Sequence, residues 1–328
     1  MKKVIATILL AIILLILILL VSENIKKNSN TSPTEFKTSF DSFPNTSSVN
    51  LVDPSDLISG GPPKDGIPSI DNPSFVSIDE TAWLLDDSEV FILILNETTR
   101  IYPQPIMVWH EIVNDEVEGI PVVITYCPLC GSTVAYKRVI NGEAVEFGTT
   151  GLLYNSNLVM YDRLTDSYWT QIRGEEVIGE LAGMKLEKLP LQTMKWVDAK
   201  KRFPQAQILS KETGFSRSYG SDPYTDYYER EEILFPVKNT QSEYDVGSKT
   251  IVIGLTINGE SRAYTEFDLI TQKNITDELG GHTINLVKEE DGFMTITNLE
   301  TGKELAWERD FWFAWQAFHP ETTVYPNK

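Results

Sequence analysis

The feature that most constrains this chain is an uncharged run of eighteen residues near its N-terminus. Val4 to Val21 follows Lys2 and Lys3 and consists mainly of Ile and Leu. At about 1.5 Å per residue, a helix of this length nearly crosses the hydrocarbon core of a bilayer, which is about 30 Å thick. A cleaved secretory signal is the alternative, but it would have a shorter apolar region and a small-residue cleavage site, which Leu20 to Asn24 lacks. The run therefore predicts a single-pass membrane anchor over residues 1–21.

Composition changes after the anchor. From Ser22 to about Pro73 the chain is rich in Asn, Ser, Thr, Pro and Gly and poor in large apolar residues. Such a segment cannot bury enough surface to offset its ordering entropy, so residues 22–73 are predicted to form a disordered polar stalk. Residues 74–328 are long enough to bury a substantial core, as one large domain or two intimately packed ones.

The positive charges beside the anchor set the expected location. Lys2, Lys3 and the terminal amine face Lys26 and Lys27 on the other side, which gives a modest excess of positive charge at the N-terminus. The N-terminus is therefore expected in the cytoplasm. The globular domain is then expected outside the cytoplasm, held at the cell membrane by the N-terminal helix.

The charge balance excludes one class of partner. The chain has 47 Asp and Glu against 28 Lys and Arg, a formal net charge of −19. Nucleic-acid binding requires clustered Lys and Arg that displace counterions from phosphates. The sequence therefore predicts no nucleic-acid partner, and it leaves open whether the partner is a protein or a small molecule.

Apolar runs and turn signals predict a β-rich domain with few helices. One helix is expected from Pro103 to about Val113, followed by a turn from Asn114 to Gly119. A second is expected from Met194 to Phe203, capped by Thr193 and stopped by Pro204. The clearest predicted strands are Val90–Leu95, Arg100–Tyr102, Ile120–Tyr126, Ser132–Ile140, Glu143–Thr149, Leu158–Arg163 and Tyr168–Arg173.

A set of residues recurs 162 positions later without a gap, which predicts an internal duplication. A second echo relates Trp196 and Phe203-Pro204 to Trp312 and His319-Pro320. The expected fold is therefore α+β and β-rich, with two related halves, about 77–210 and 233–328, packed into one globular ectodomain. The recurring residues are Val90, Leu93, Asn96, Arg100, Tyr102, Asp115, Glu116 and Gly119, repeated as Val252, Leu255, Asn258, Arg262, Tyr264, Asp277, Glu278 and Gly281.

Positions that differ between the two halves are better candidates for function than positions that they share. Trp109-His110-Glu111 aligns with Thr271-Gln272-Lys273, and the two cysteines of the first half align with Glu289 and Gly292. Any chemistry is therefore expected in the first half.

The only two cysteines of the chain lie in one turn after a predicted strand. The sequence Cys127-Pro128-Leu129-Cys130-Gly131 has the form of a metal knuckle, in which a tight turn directs N–H groups at two thiolates. A closed site needs further ligands. His110, His282 and His319 are the only histidines, and imidazole with thiolate suits zinc or copper. His110 is the favoured third group.

A disulfide between Cys127 and Cys130 is the competing interpretation, and inert buried thiols are the third. An extracytoplasmic location permits a disulfide, which would be structural or redox-active. A thioredoxin-like motif would open a helix, whereas this one leads into the strand-like residues Thr133 to Tyr136. The two resulting functions are a thiol-dependent metal or redox site and a non-catalytic cell-surface binding module with a disulfide.

Other polar residues are weaker candidates. Asn155, Asp162 and Arg163 belong to a predicted hairpin that a packed core would also explain, and Trp169 and Gln171 follow it. No recognisable nucleophile–base pair of a hydrolase, no P-loop and no dinucleotide fingerprint stands in the sequence.

Several motifs in the same order make the chain resemble the prokaryotic family called domain of unknown function 3179. The resemblance spans about Ser77 to Tyr325 and implies an exported or membrane-attached protein, but it carries over no catalytic residue. One departure is Phe203-Pro204, where the family often has His-Pro. The motifs are Tyr126-Cys127-Pro128-Leu129-Cys130-Gly131-Ser132, Gly151-Leu152-Leu153-Tyr154-Asn155-Ser156, Met160-Tyr161-Asp162-Arg163, Trp169-Thr170-Gln171, Phe235-Pro236-Val237 and Phe318-His319-Pro320.

Overall fold

The structure is a computed structural model that describes residues 49–238 and 243–326. The predicted anchor at 1–21 and the first part of the predicted stalk lie outside the described residues. Within the two described ranges no helix combines the length and apolar character needed to cross a membrane.

Short strands joined by tight turns make up most of the described chain. The first twelve strands, in chain order, are β1 (Val49–Asn50), β2 (Ile58–Ser59), β3 (Phe75–Val76), β4 (Glu89–Leu95), β5 (Thr98–Pro103), β6 (Ile112–Val117), β7 (Ile120–Cys127), β8 (Ser132–Lys137), β9 (Val139–Ile140), β10 (Glu143–Ala144), β11 (Phe147–Tyr154) and β12 (Asn157–Asp162). The remaining strands are β13 (Tyr168–Thr170), β14 (Glu175–Gly179), β15 (Lys188–Leu189), β16 (Gln192–Lys195), β17 (Gln207–Leu209), β18 (Ile251–Ile257), β19 (Glu260–Thr265), β20 (Asn274–Leu279), β21 (His282–Lys288), β22 (Met294–Asn298), β23 (Glu308–Phe311) and β24 (Thr323–Val324).

The helices are short and few. In the described ranges the α-helices are α1 (Gln104–Met107), α2 (Trp196–Arg202), α3 (Thr225–Tyr228), α4 (Glu266–Gln272) and α5 (Trp312–Phe318), and single 3-10 turns occur at Pro54–Asp56, Ile78–Glu80 and Pro128–Cys130. The prediction of a β-rich α+β fold is confirmed.

The strands form three large sheets and two small ones. The eight-stranded sheet has the order β24-β19-β18-β23-β8-β7-β6, with β15 paired to β8. The six-stranded sheet has the order β1-β14-β13-β12-β11-β2, and the five-stranded sheet has the order β16-β4-β5-β17-β3. Strands β20, β21 and β22 form a three-stranded sheet, and β9 pairs with β10.

The folded domain begins earlier than the sequence predicts. Strand β1 pairs with β14, and β2 pairs with β11, so both belong to the six-stranded sheet. Leu57 and Ile70, in the predicted stalk, are each 1% exposed. The predicted boundary at residue 74 is therefore too late, because a segment poor in apolar residues is fixed here by strand pairing and by a few deeply buried side chains.

The predicted helix after Pro103 is also too long. Helix α1 ends at Met107, and the chain then enters β6, whose Ile112 pairs with Thr125 of β7. The predicted turn at Asn114 is part of β6. Tertiary pairing of β-branched residues overrides the helical pattern in this segment.

Helix α2 lies within the range predicted for it, with a different start. Thr193 and Met194 belong to β16, so Thr193 does not cap the helix, and Lys195 occupies the N-cap position. The helix ends before Pro204, as predicted.

Two parts of the chain share one pattern of strand pairing. Strands β18, β19 and β20 begin and end 162 residues after β4, β5 and β6. The order β16-β4-β5-β17 matches the order β23-β18-β19-β24, with the same parallel and antiparallel directions. A buried tyrosine bonds an aspartate in each: Tyr102 to Asp115 at 2.7 Å, and Tyr264 to Asp277 at 2.8 Å.

The apolar core that surrounds the cysteines joins the eight-stranded and six-stranded sheets. It includes Cys127 and Cys130 from one sheet, and Met160 and Trp169 from the other, together with Phe313 of α5. The cysteine turn is therefore set between two sheets rather than on an outer loop.

Candidate functional site

The cysteine turn is built by one strand ending and the next beginning. Strand β7 ends at Cys127, a single 3-10 turn covers Pro128–Cys130, and β8 starts at Ser132. Gly131 closes the turn with φ of +57°, and a Cβ at this position would lie 2.9 Å from the ring of Phe311. Both the backbone conformation and the space therefore require glycine.

The two thiols are free and meet one carbonyl group. Cys127 is 2% exposed and Cys130 is fully buried. Their Sγ atoms lie 3.9 Å and 3.4 Å from the carbonyl oxygen of Ser156, to which both thiols donate. Ser156 follows Asn155 in the turn between β11 and β12, and both have positive φ, of 63° and 51°. The β11–β12 hairpin thus presents an acceptor to both sulfurs.

The two thiols differ in acidity. Burial acts to raise the pKa of Cys127, but it is outweighed by hydrogen bonds from the Cys130 thiol and from the backbone N–H groups of Leu158, Cys130 and Leu129, so the pKa is lowered. Burial raises the pKa of Cys130 well above its ordinary value, and its contact with Cys127 and the charge of Asp310 add to the increase. Cys127 is therefore the thiol that ionises first.

A buried carboxyl group accompanies each thiol. Glu111, which is 7% exposed, interacts electrostatically with Cys127, and burial followed by that interaction raises its pKa well above the ordinary value. Asp310 interacts electrostatically with Cys130 in the same way. Burial followed by the charge of Glu308 raises the pKa of Asp310 well above the ordinary value. Burial therefore opposes the ionisation of both carboxyl groups.

Strand register places Asp310 in line with the cysteine turn. Cys127 pairs with Ser132 across β7 and β8, and Arg309 pairs with Thr133 across β23 and β8. In this antiparallel register Asp310 is the neighbour of Ser132, so Cys127, Ser132 and Asp310 form a row across three strands. Asp310 is fully buried, and neither of its carboxylate oxygens has a hydrogen-bond partner among the described residues.

A chain of side-chain amides packs beneath the thiols. Gln171 Nε2 donates to Thr125 Oγ1 at 2.9 Å, and Asn157 Nδ2 donates to Gln171 Oε1 at 2.7 Å. The Asn157 side chain also acts to lower the pKa of Cys130. Of the weaker candidates, Gln171 is thus the one that reaches the cysteines, through Asn157.

A tyrosine-rich segment around α3 covers the turn from outside. Tyr227 donates through its hydroxyl to the Leu129 carbonyl at 2.8 Å, and burial followed by the charges of Glu111 and Cys127 raises the pKa of Tyr224. Beside this cover lies a cleft of about 600 Å³, bounded by Tyr126, Gly131, Tyr228 and Phe311 among others. It reaches the turn but not the sulfurs.

Both ring nitrogens of His110 bond groups other than the cysteines. Its Nδ1 lies 2.7 Å from the Pro68 carbonyl oxygen, and its Nε2 lies 2.6 Å from the Tyr219 hydroxyl. The group that faces Cys127 is the next residue, Glu111. Across residues 49–238 and 243–326, no three or more His, Cys, Asp or Glu side chains are grouped so that they could hold a metal ion.

The remaining candidates are separated from the thiols. His282 pairs with Glu300 at 2.5 Å on the surface, and Arg163 bonds Asp71 at 2.7 Å. Asp162 accepts a hydrogen bond from the Trp169 indole at 2.9 Å. Asn155 accepts one from the Lys238 backbone, and His319 lines another cleft.

Sequence reasoning did not single out Glu111, Asp310 or Asn157. The contrast between Glu111 and Lys273 at aligned positions was a usable signal, since both have φ of 59° and only Glu111 is buried. Asp310 gave no signal, because a distant strand brings it to the turn.

The fold and the site define a class: a β-rich domain with a buried, free thiol pair in a turn between two strands. A profile of the family described as "Protein of unknown function (DUF3179)" matches residues 64–306. The chain belongs to this family. No match was found among curated proteins or among solved structures.

Proposed function

We propose that Cys127 and Cys130 form a thiol–disulfide exchange centre. The observation that carries the proposal is that the two free thiols meet at one acceptor: the Cys127 and Cys130 Sγ atoms lie 3.9 Å and 3.4 Å from the carbonyl oxygen of Ser156. Their different acidities support distinct roles, with Cys127 as the attacking thiolate and Cys130 as the resolving thiol.

The exchange transfers two electrons from the thiol pair to a partner disulfide. The Cys127 thiolate attacks one sulfur of that disulfide, forms a mixed disulfide and releases the other partner sulfur as a thiolate. Cys130 then loses its proton and attacks Cys127 Sγ. The second partner thiol leaves, and the chain retains a Cys127–Cys130 disulfide.

Asp310 is the proton acceptor in the resolving step. Its carboxyl group lies in the row that contains Cys127 and Ser132, and its oxygens are unpartnered. Burial raises the pKa of Asp310 as well as that of Cys130, and a carboxylate with a raised pKa is a stronger base for the Cys130 proton. In the reverse reaction the same carboxyl returns the proton to the departing Cys130 thiolate.

Access requires the segment around α3 to move. Cys127 is 2% exposed, and the Tyr227 hydroxyl bonds the carbonyl of Leu129 inside the turn. A partner disulfide approaches through the neighbouring cleft once that bond is broken. The cover keeps the thiols from indiscriminate oxidation until a partner displaces it.

The location belongs to the same proposal. The uncharged run from Val4 to Val21 supports attachment to the cell membrane with the domain outside the cytoplasm, where disulfide exchange has substrates. The partner is a protein or small-molecule disulfide, and nucleic acid is excluded by the charge of −19.

We also infer that the two matching parts arose by internal duplication. The shared strand bounds, pairing order and tyrosine–aspartate bonds support it. The thiol pair then belongs to one copy alone, which is the pattern expected when one copy of a duplicated scaffold acquires a site.

The second candidate function is a non-catalytic cell-surface binding module in which Cys127 and Cys130 form a permanent structural disulfide. The approach of both sulfurs to one carbonyl oxygen is also compatible with such a bond. The two functions differ in whether the pair cycles under mild redox conditions.

In the test, the full-length chain in detergent is equilibrated with mixtures of reduced and oxidised glutathione. Free thiols are then trapped with a maleimide, and the mass of the chain is measured by mass spectrometry. Both cysteines are expected to change together at one potential. Cys130→Ser is expected to hold glutathione on Cys127, whereas Cys127→Ser should hold none. Glutathione on Cys130 instead would contradict the roles.

Two further results separate the other functions. A disulfide that forms and is reduced only at potentials below about −300 mV favours the structural module. One zinc or copper per chain in a preparation without chelator, lost in either serine variant, replaces the redox centre with a metal site.

A further inference from the structure

A second cleft, of about 440 Å³, holds a group of residues that the thiol site does not use. It is lined by Arg173, Lys185, Lys188, Thr256, Ser261, Glu308, His319 and others. A hydroxyl, an imidazole and a carboxylate are adjacent within it.

His319 connects the other two groups. Its Nδ1 lies 3.2 Å from Ser261 Oγ and 3.4 Å from Thr256 Oγ1. The ring is stacked on Trp315 with centroids 3.7 Å apart, and the Trp315 indole N–H donates to Thr322 at 2.8 Å. The imidazole is therefore fixed in orientation by a side chain that is itself anchored.

Glu308 faces the other nitrogen of His319. Its Oε2 lies 3.7 Å from His319 Nε2, and neither atom has a hydrogen-bond partner among the described residues. The other oxygen, Oε1, pairs with Lys188. Although burial acts to raise it, the charge of Lys188 and the contacts with His319 lower the pKa of Glu308 to about 2. Glu308 is thus a buried anion aimed at the imidazole.

The group occurs in one of the two matching parts of the chain. Aligning α5 with α2 puts Phe203 at the position of His319 and Gln192 at the position of Glu308, and the offset of 162 puts Thr99 at the position of Ser261. A scaffold that needed these residues for packing would be expected to keep them in both parts.

We infer that Ser261, His319 and Glu308 form a catalytic group for hydrolysis of carboxylic esters. With its proton on Nε2, facing Glu308, the imidazole keeps a lone pair on Nδ1 that accepts the Ser261 hydroxyl proton. This orientation is the arrangement of nucleophile, base and anion that activates a serine.

The reaction runs in two balanced steps. Ser261 Oγ attacks the ester carbonyl carbon while its proton passes to His319 Nδ1. His319 returns the proton to the departing alkoxide, the alcohol leaves, and the acyl group stays on Oγ. A water molecule then gives a proton to the same nitrogen and attacks the acyl carbon, which releases the acid and restores Ser261.

The cations of the cleft indicate which esters fit. The guanidinium of Arg173 and the ammonium of Lys185 line it, although both also pair with Glu175, at 3.2 Å and 3.6 Å. An ester that carries a second, anionic carboxylate would be bound by them in preference to a neutral one.

The test measures hydrolysis of p-nitrophenyl acetate and of mono-p-nitrophenyl succinate by the full-length chain in detergent, and maps a fluorophosphonate adduct by mass spectrometry. The adduct is expected on Ser261, with the succinate hydrolysed faster. His319→Phe keeps a ring on Trp315, as Phe203 does in the matching part, and is expected to lower kcat/KM about 100-fold or more.

The controls separate catalysis from folding. Ser261→Ala should abolish the adduct and the activity, whereas Ser216→Ala, at an exposed serine far along the chain, should change neither. Melting temperatures show whether each variant is folded. An adduct on any other residue, or hydrolysis that persists in Ser261→Ala, or no adduct and no hydrolysis by the folded wild-type chain, would overturn the inference.

Discussion

Glu308 and Asp310 lie two residues apart on β23, and of these two acids Glu308 alone forms an ion pair with Lys or Arg in the described part of the chain. Side chains of a strand alternate between faces, so the two carboxyl groups point to the same face of the sheet. Lys188 pairs with Glu308, while the charge of Glu308 raises the pKa of Asp310. The two buried acids therefore affect stability in opposite ways. They also connect the two sites, because Glu308 lies in the ester cleft and Asp310 lies beside the thiol pair.

Replacing Asp310 by Asn is expected to stabilise the folded chain at neutral pH. The folded pKa lies above the unfolded value of about 3.8, so the folded state binds the proton more tightly, and stability falls as the pH rises above that value. Asn cannot ionise, so the folded chain no longer carries the cost of ionising a buried carboxyl group, and the gain is expected to be about 1 kcal/mol or more. Urea unfolding from pH 3 to pH 8 measures it. A gain that persists unchanged below pH 3.5 would contradict the explanation.

Replacing Glu308 by Gln is expected to have the opposite effect. The folded pKa of about 2 lies below the unfolded value of about 4.5, so Glu308 contributes stability above pH 4.5 that is lost as the pH falls through about 2. Breaking the buried pair with Lys188 should cost about 3 kcal/mol at pH 7. In the same urea series the difference between the Gln variant and wild type should narrow as the pH falls from 4.5 towards 3, because Glu308 begins to lose its contribution there. A Gln variant as stable as wild type at pH 7 would mean that Lys188 does not need this partner.

Strand runs and hairpin turns could be predicted because their signals are local. Asn96 and Asn258 take positive φ in turns between apolar strands, and the predicted strands from Val90 and Ile120 are present. Pairing between distant segments has no local signal. The chain from residue 49 to 73 has few apolar side chains, yet β1 and β2 are held there by the six-stranded sheet.

The residues of the site divide in the same way, into those with a local signal in the sequence and those without one. Cys127 and Cys130 were predicted to share a turn, because only two residues separate them after a strand. His110 was favoured beside them, but the segment after it is a strand of its own, β6, which runs antiparallel to β7 and brings Glu111 back opposite Tyr126. Asp310 reaches the turn only through the pairing of β23 with β8, which no feature of its neighbourhood encodes.

Removing the Tyr227 hydroxyl is expected to make the thiols easier to reach. That hydroxyl donates to the Leu129 carbonyl at 2.8 Å, and a lost hydrogen bond of about 1 kcal/mol would raise the population of an open cover about fivefold. Tyr227→Phe should increase the rate of Cys127 alkylation by iodoacetamide by about that factor. Tyr325→Phe, whose hydroxyl contacts Gln272 at 3.2 Å, is the matched control. An unchanged rate in Tyr227→Phe would show that the cover opens without breaking this bond.

Gly131 is expected to tolerate a side chain less well than another glycine of positive φ. An added Cβ at Gly131 would lie 2.9 Å from the Phe311 ring, whereas Gly142 has φ of +87° and open space around its Cβ position. Gly142→Ala should cost about 1 kcal/mol from backbone strain alone. Gly131→Ala should cost roughly 1–3 kcal/mol more, because the ring must move. Equal losses in thermal unfolding would mean that Phe311 yields freely.

The backbone and the side chain of Ser156 act separately at the thiol site, so a substitution can change one and keep the other. Its carbonyl oxygen accepts from both thiols, while its buried hydroxyl has no partner among the described residues and its φ of 63° strains a non-glycine residue. Ser156→Gly keeps the carbonyl, relieves the strain and removes the unpaired hydroxyl, at the cost of a more flexible unfolded chain. The variant is therefore expected to gain about 1 kcal/mol, seen as a melting temperature about 2–4 °C higher. A loss of stability would contradict the explanation that strain and the unpaired hydroxyl outweigh the flexibility added to the unfolded chain.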